Sequence, residues 1–252
     1  MDVTATRRPW LLRKPTADST YRLFLLPYSG VGASMYARWP ARLGPAEVCL
    51  VQPPGRENRF REPHYGRYED YAAALVDDIR PLLDRPFAFF GHCSSALAGF
   101  ATALHLQRLG LPVPDRLFVS SEVAPHDGPY GRFLDMDDDA LGVELAGLIR
   151  AMGGRPQPDA IEVGLGVLRA DLAANRRYVF PEPVRLATAI TVIGWTDDRE
   201  IRPEQMVGWR AYSGEVRFVT LRGDHHAFLA APPALRGEIM RDLERTASDA
   251  DT

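Results

Sequence analysis

Three short stretches of the chain carry side chains able to do nucleophilic chemistry. FFGHCSSALAGF (89–100) holds Cys93 between a Gly-His pair and two serines. IGWTDDREI (193–201) holds the adjacent acids Asp197 and Asp198, and LRGDHHAFL (221–229) the adjacent imidazoles His225 and His226. A thiol, a carboxylate and an imidazole are the parts of an acyl-transfer centre: the thiol attacks a carbonyl, the imidazole takes its proton and the acid orients the imidazole. A G-x-S-x-G elbow sets such a nucleophile at a tight strand-to-helix turn. Here Gly91 stands two before Cys93, but Ser95 stands where the second glycine belongs. The turn is therefore expected to be looser or more strained than usual. Ser94 is the rival nucleophile, yet that register puts His92 in the first glycine's place, and its backbone N–H is better employed as an oxyanion donor. A helix starting at Ser94 would aim its positive end at the sulfur, and a nearby imidazole would add to the effect, so a thiolate is expected at Cys93.

The acid and the base are each ambiguous by one residue. For the aspartates the plain alternatives are a solvated loop pair or a helix N-cap. For the histidines a metal site is disfavoured, because there is no helical i, i+4 pair and no nearby cysteine cluster. His64, His105 and His126 lack any comparable context and read as structural or surface residues. Cys49, inside an apolar run, reads as a small buried hydrophobe.

These loops need a scaffold, and the rest of the sequence supplies one. YRLFLLPYSG (21–30), EVCLVQPPGR (47–56), RPFAFFG (85–91), DRLFVSS (115–121), ATAITVIG (187–194) and EVRFVTLRG (215–223) are short apolar runs ending at turn residues, the pattern of buried strands. Between them YEDYAAALVDDIRPLL (68–83) has helical spacing, and SSALAGFATALHLQRLG (94–110) reads as a helix closed by Gly110. Near-continuous apolar strands alternating with helices predict an α/β fold, with a mainly parallel sheet covered on both faces. Residues 131–180 break the alternation. Leu141, Leu145 and Leu148 would form one helical face and Leu165, Leu168 and Leu172 another, split at Gly153-Gly154-Arg155-Pro156. This segment is expected to be an inserted helical lid within a single domain spanning 1–252, set over the carboxyl edge of the sheet. The last residues, TASDADT (246–252), read as a frayed polar tail.

Composition narrows the classes of function. The 252 residues are 46% hydrophobic and 25% charged, with a net charge of −3, which speaks against general nucleic-acid binding. No apolar stretch approaches the ~20 residues of a membrane span, and no apolar region follows the N-terminal arginines as in a signal peptide. With two cysteines, read as reduced thiols, a cytoplasmic protein is expected.

Taken in order, LLPYSGVGAS (25–34), VQPPGRENRF (51–60), RPFAFFGH (85–92), LFVSSEVAPH (117–126), LRADLAANRRY (168–178) and GDHHAFL (223–229) resemble the type II thioesterases. These are stand-alone α/β-hydrolases that serve nonribosomal peptide and polyketide synthases, and the resemblance runs from about Arg7 to the C-terminal helix. It implies an α/β-hydrolase fold with a helical lid over an acyl chamber, and a monomer. By position, the nucleophile falls on Cys93, where the family has serine, and the base on His225. The acid falls on Asp198, with Asp197 second because the usual following proline is Arg199 here. Glu122, where small or basic residues are more familiar, is a reserve acid. The second oxyanion N–H maps to Ser29, beside that of Ser94. The resemblance implies no cofactor and no metal. The substrate would be an acyl group on the phosphopantetheine arm of an acyl or peptidyl carrier protein, docked on the lid side.

Cysteine in the nucleophile's place changes the fate of the acyl-enzyme. The intermediate would be a second thioester, suited to transfer or cyclisation onto another nucleophile such as a small-molecule acceptor. Editing hydrolysis is the alternative, because His225 can also activate water. A non-catalytic factor that binds a carrier or synthase is a third reading, motivated by the altered elbow and opposed by the retained acid and histidine loops.

Overall fold

The computed structural model of the chain describes residues 9–250, with side chains through residue 245. The apolar runs form a seven-stranded sheet: β1 (Tyr21–Leu26), β2 (Arg42–Leu43), β3 (Ala46–Leu50), β4 (Phe87–His92), β5 (Arg116–Ser120), β6 (Ala189–Trp195) and β7 (Val216–Leu221). Their spatial order is β2-β3-β1-β4-β5-β6-β7, and every neighbouring pair is parallel except β2–β3. Sequence patterning does not reveal the two-residue β2, since a strand that short carries no periodicity.

Alternation along the strands assigns their faces. Phe24, Leu26, Phe87, Phe89, Leu117 and Val119 pack with Tyr71, Leu75 and Ile79 of α1 (Tyr68–Ile79) and with α2 (Ser94–Arg108). Leu23, Leu25, Ala88, Phe90 and Phe118 pack with Leu235, Ile239 and Leu243 of α5 (Pro233–Ala250) on the other side. Burial on both faces is why β1 and β4 read as unbroken apolar runs. Each such Leu or Phe contributes about 1.5–3 kcal/mol by leaving water. The expected polar tail overlaps the end of α5, and its side chains lie outside the described residues.

Between β5 and β6 lie α3 (Asp138–Ala151) and α4 (Pro158–Arg177). Asp137 caps α3 by accepting a hydrogen bond from Ala140 N at 2.9 Å. Leu141 of α3 meets Leu168 and Leu172 of α4 in a small separate cluster, with Leu165 half-buried beside them. The α4 helix is held to the loop after β1, where the Asp171 carboxylate accepts a hydrogen bond from Gly30 N at 2.8 Å. These two helices therefore stand over the carboxyl ends of the strands. Among the described residues no helix is long and apolar enough to cross a membrane.

Candidate active site

The chemistry-bearing residues all lie just past the carboxyl ends of strands: Tyr28 and Ser29 after β1, Cys93 after β4, Glu122 after β5, Asp198 after β6 and His225 after β7. This is the edge at which open parallel sheets gather ligands. At the elbow Cys93 takes φ +53° and ψ −141°, a conformation that side chains rarely adopt. Gly91 is required there, because a Cβ on it would sit 2.5 Å from Ala96 N. Ser95 needs no glycine. Its hydroxyl folds back, accepting from His92 N at 2.9 Å and donating to His92 O at 2.8 Å. Of the two expectations, a looser turn or a more strained one, the turn shows strain at Cys93 and no loosening, because the extra side chain ties it to its own backbone.

Geometry brings together one member of each ambiguous pair. His225 Nδ1 lies 3.0 Å from Asp198 Oδ2 and 3.1 Å from Oδ1. Ser121 Oγ donates to Asp198 Oδ2 at 2.6 Å, while Glu200 N and Ile201 N donate to Oδ1 at 2.8 and 3.1 Å. Burial pushes the Asp198 carboxyl up, but the His225 and Ser121 bonds overcome this and hold it below the usual carboxylate range. Asp197 is exposed and accepts from its neighbour Thr196 at 3.1 Å. His226 is half-buried, its ring 5.4 Å from that of His225. Glu122 is buried, and His225 is not among its hydrogen-bond partners. An orienting acid at Asp198 leaves Asp197 and Glu122 without that task.

Cys93, His225, Ser29 and Ser94 line one small pocket, together with Phe133, Leu134, Leu172 and Ile201. The Ser29 and Ser94 hydroxyls share a short hydrogen bond. One expectation fails here. Burial pushes the Cys93 thiol well above its ordinary value, the nearby Glu122 pushes it further, and the Ser94 N–H only partly offsets them. The residues around the helix start do not include this carboxyl, which folding brings to the same pocket from β5's loop. Cys93 is therefore held as a neutral thiol rather than the expected thiolate.

Several residues here escape sequence reasoning. The Tyr28 hydroxyl lies 3.4 Å from His225 Nε2, and its ring packs on His92, His225 and His226. It sits inside LLPYSGVGAS, but nothing local marks it as different from a core tyrosine. His92 is fully buried, stacked on Phe228 with centroids 3.8 Å apart, and burial beside His225 holds it well below its usual value, hence neutral. His64 takes the structural one of its two expected roles: its Nε2 lies 2.7 Å from Asp171. Among the described residues no group of three His, Cys, Asp or Glu is placed to hold a metal ion.

A family model described as thioesterase domain matches residues 21–245. The linear gramicidin dehydrogenase LgrE of Brevibacillus parabrevis is 34% identical over 230 residues, covering 86% of this chain and 85% of that protein. The structure of RedJ, a thioesterase from the prodiginine biosynthetic pathway of Streptomyces coelicolor, superposes with a TM-score of 0.75 at 32% identity, covering 95% and 98% of the two chains. That of YbtT, a type II thioesterase from the yersiniabactin NRPS/PKS pathway, gives 0.78 at 25% identity, covering 93% and 97%. The fold is thus the α/β-hydrolase fold that the sequence predicts.

Proposed function

The chain belongs to the thioesterase family, and within it we propose an enzyme that takes an acyl group from a carrier protein's phosphopantetheine thioester onto Cys93. The observation that carries this reading is a thiol at the strained elbow, in one pocket with a His225 imidazole oriented by the buried Asp198. His225 Nε2 takes the thiol proton as the sulfur attacks the thioester carbonyl. The N–H groups of Ser29 and Ser94 hold the oxyanion, and Asp198 stabilises the imidazolium that forms. Collapse of the tetrahedral intermediate breaks the bond to the phosphopantetheine sulfur, which leaves with the proton from His225. The acyl group then rests on Cys93 as a thioester.

Because thioester is exchanged for thioester, loading is close to isoenergetic, and the stored acyl group suits transfer to a second thiol or amine, or cyclisation. No cofactor is needed in this scheme. The α3–α4 segment, inside residues 131–180, would serve as the lid over the acyl chamber and present the docking side for the carrier. Editing hydrolysis is the second reading, favoured by the likeness to type II thioesterases. A binding-only role is opposed by the hydrogen-bonded, buried His225–Asp198 pair, which such a role does not require.

Intact-protein mass spectrometry with an acylated carrier tests the proposal. An acyl mass on the wild type that is absent from Cys93→Ala is expected, and an undiminished adduct on that variant would sink the assignment. Product analysis with and without amine and thiol acceptors separates the two readings. Conjugates with acceptor mean transfer; free acid unaffected by acceptor means hydrolysis.

A further inference from the structure

The stretch LRADLAANRRY supplies no group to the chemistry proposed above, yet its Asp171 reaches the loop that carries Ser29. In that loop, which follows β1, the backbone donors are committed one by one. Pro27 has no N–H, Tyr28 N donates to Met35 Sδ at 3.0 Å, and Val31 N donates to Tyr28 O at 3.4 Å. Gly30 N donates to Asp171 Oδ2 at 2.8 Å. The Ser29 N–H donates to no group among the described residues, although Ser29 is buried. An N–H without a partner in a buried residue calls for an explanation, and a donor kept for a reacting group supplies one.

What fixes this donor's direction comes from far along the chain. The Ser29 hydroxyl is bound to that of Ser94, and the peptide that follows Ser29 is bound to Asp171 on α4, 141 positions away. Asp171 Oδ2 also accepts from Arg56 Nη1 at 2.9 Å, and the same nitrogen donates to Val31 O at 3.2 Å. The Asp171–Arg56 pair therefore grips the loop on both sides of the Gly30–Val31 peptide. Gly30 has φ +80°, and a Cβ there would lie 3.1 Å from the Cβ of Leu168, one turn before Asp171, so α4 packs directly on the loop. The other oxygen, Oδ1, is anchored by Arg56 Nη2, His64 Nε2 and the Tyr65 hydroxyl. All of Asp171's partners are donors, so an amide in its place would turn N–H groups towards N–H groups. We infer that Asp171 is a positioning residue: through Gly30 it sets the direction of the Ser29 N–H, so that the oxyanion hole is complete only while α4 is seated on the β1 loop. The inference rests on the reading of Cys93 as the acylated residue with Ser29 as an oxyanion donor.

Two analogues of one acyl-pantetheine separate the hole from the rest of the pocket. In a difluoroketone analogue the Cys93 sulfur adds to the carbonyl carbon, the thiol proton passes to His225, and the carbonyl oxygen becomes an oxyanion facing the hole. The amide analogue binds with its carbonyl planar and adds nothing. The wild type is expected to bind the ketone at least about a hundredfold more tightly than the amide. Asp171→Asn should lower both that ratio and kcat for acyl loading by roughly tenfold or more, with KM and the amide Kd within about twofold of wild type. A tie that only fastens α4 to the fold would leave the ratio unmoved. Gly30→Ala keeps the Asp171 cluster whole but forces the loop away from Leu168, and should show the same split. An unchanged ratio in folded Asp171→Asn, or in Gly30→Ala where Asp171→Asn does not fold, would overturn the inference, as would an equal loss of ketone and amide affinity. A wild type that binds both analogues alike, and just as Cys93→Ala does, would instead remove the covalent reading, and the hole's role with it.

Discussion

The seam beneath α4 and the wall of the Cys93 pocket each bury a carboxyl group, and they treat it in opposite ways. At the seam, Asp171 accepts from Gly30 N at 2.8 Å, from Arg56 Nη1 and Nη2 at 2.9 and 2.8 Å, from His64 Nε2 at 2.7 Å and from the Tyr65 hydroxyl at 2.7 Å. The His64 proton is where that requires, because Gly66 N donates to His64 Nδ1 at 2.9 Å and leaves the proton on Nε2. Burial alone would raise the Asp171 carboxyl, but the Arg56 guanidinium and the His64 bond overcome it and hold it far below the usual range. In the pocket wall, Glu122 has one donor and stays high. The difference separates two purposes. A carboxyl met from every side is held ionised and joins parts of the fold, and one with a single donor is held largely protonated instead.

The largest effect is expected at the seam. Asp171→Asn leaves the buried Arg56 without its counter-charge and should cost about 3–5 kcal/mol in urea unfolding at pH 7. Because the Asp171 carboxyl is depressed in the folded state, its contribution is complete above 3.8, its ordinary value, and is lost as the pH falls below that. The penalty of Asp171→Asn should therefore shrink in acid. On the proposed mechanism it should also slow acyl loading, since Gly30 adjoins Ser29, the residue proposed to hold the oxyanion. A variant as stable as wild type at pH 7 would break the comparison.

Next comes Glu122→Gln, with the opposite sign. The folded Glu122 carboxyl is raised from 4.5 to about 8, so the folded protein holds a proton that the unfolded chain has given up between those values. Stability is thus lost as the pH rises through that window. Glu122→Gln removes the titration and should gain on wild type from about pH 4.5 upward, levelling off near pH 8. The gain should reach a few kcal/mol at most, since each pH unit inside the window is worth about 1.4 kcal/mol. A difference independent of pH, followed by thermal unfolding from pH 4 to 9, would show that Glu122 is met by donors after all. The smallest effect belongs to Asn175→Ala on α4: its buried Oδ1 has no hydrogen-bond partner among the described residues and takes little with it, and the change in urea midpoint should correspond to less than about 1 kcal/mol.

The thiol gives a further contrast between local and distant influence. Read locally, the Cys93 elbow promises a thiolate, since the start of α2 and an imidazole both favour it. In the folded chain, burial and the Glu122 carboxyl reverse that direction. Slow alkylation of Cys93 by iodoacetamide at neutral pH is therefore compatible with an enzyme. On the mechanism proposed above, His225 would remove the proton only when substrate is aligned.

What the sequence determined by itself is the scaffold and the order of its chemistry. The apolar runs that become β1 and β3 to β7 are legible because burial on both faces demands continuous apolar residues. The loops holding Cys93, Asp198 and His225 are legible because each is joined directly to such a strand. Gly91 could be read as obligatory because its reason is one turn away, at Ala96. Tertiary structure decided whatever depends on the direction a side chain takes after the strand ends. Asp198 rather than Asp197 faces His225 because Ser121, Glu200 and Ile201 hold its two oxygens. The Asp171 seam joins residues 115 and 141 positions apart, and the ionisation of Cys93 answers to a carboxyl on the next strand's loop. Hydrogen bonding and desolvation act through space over a few ångströms, and only the packed chain sets which groups come within that reach.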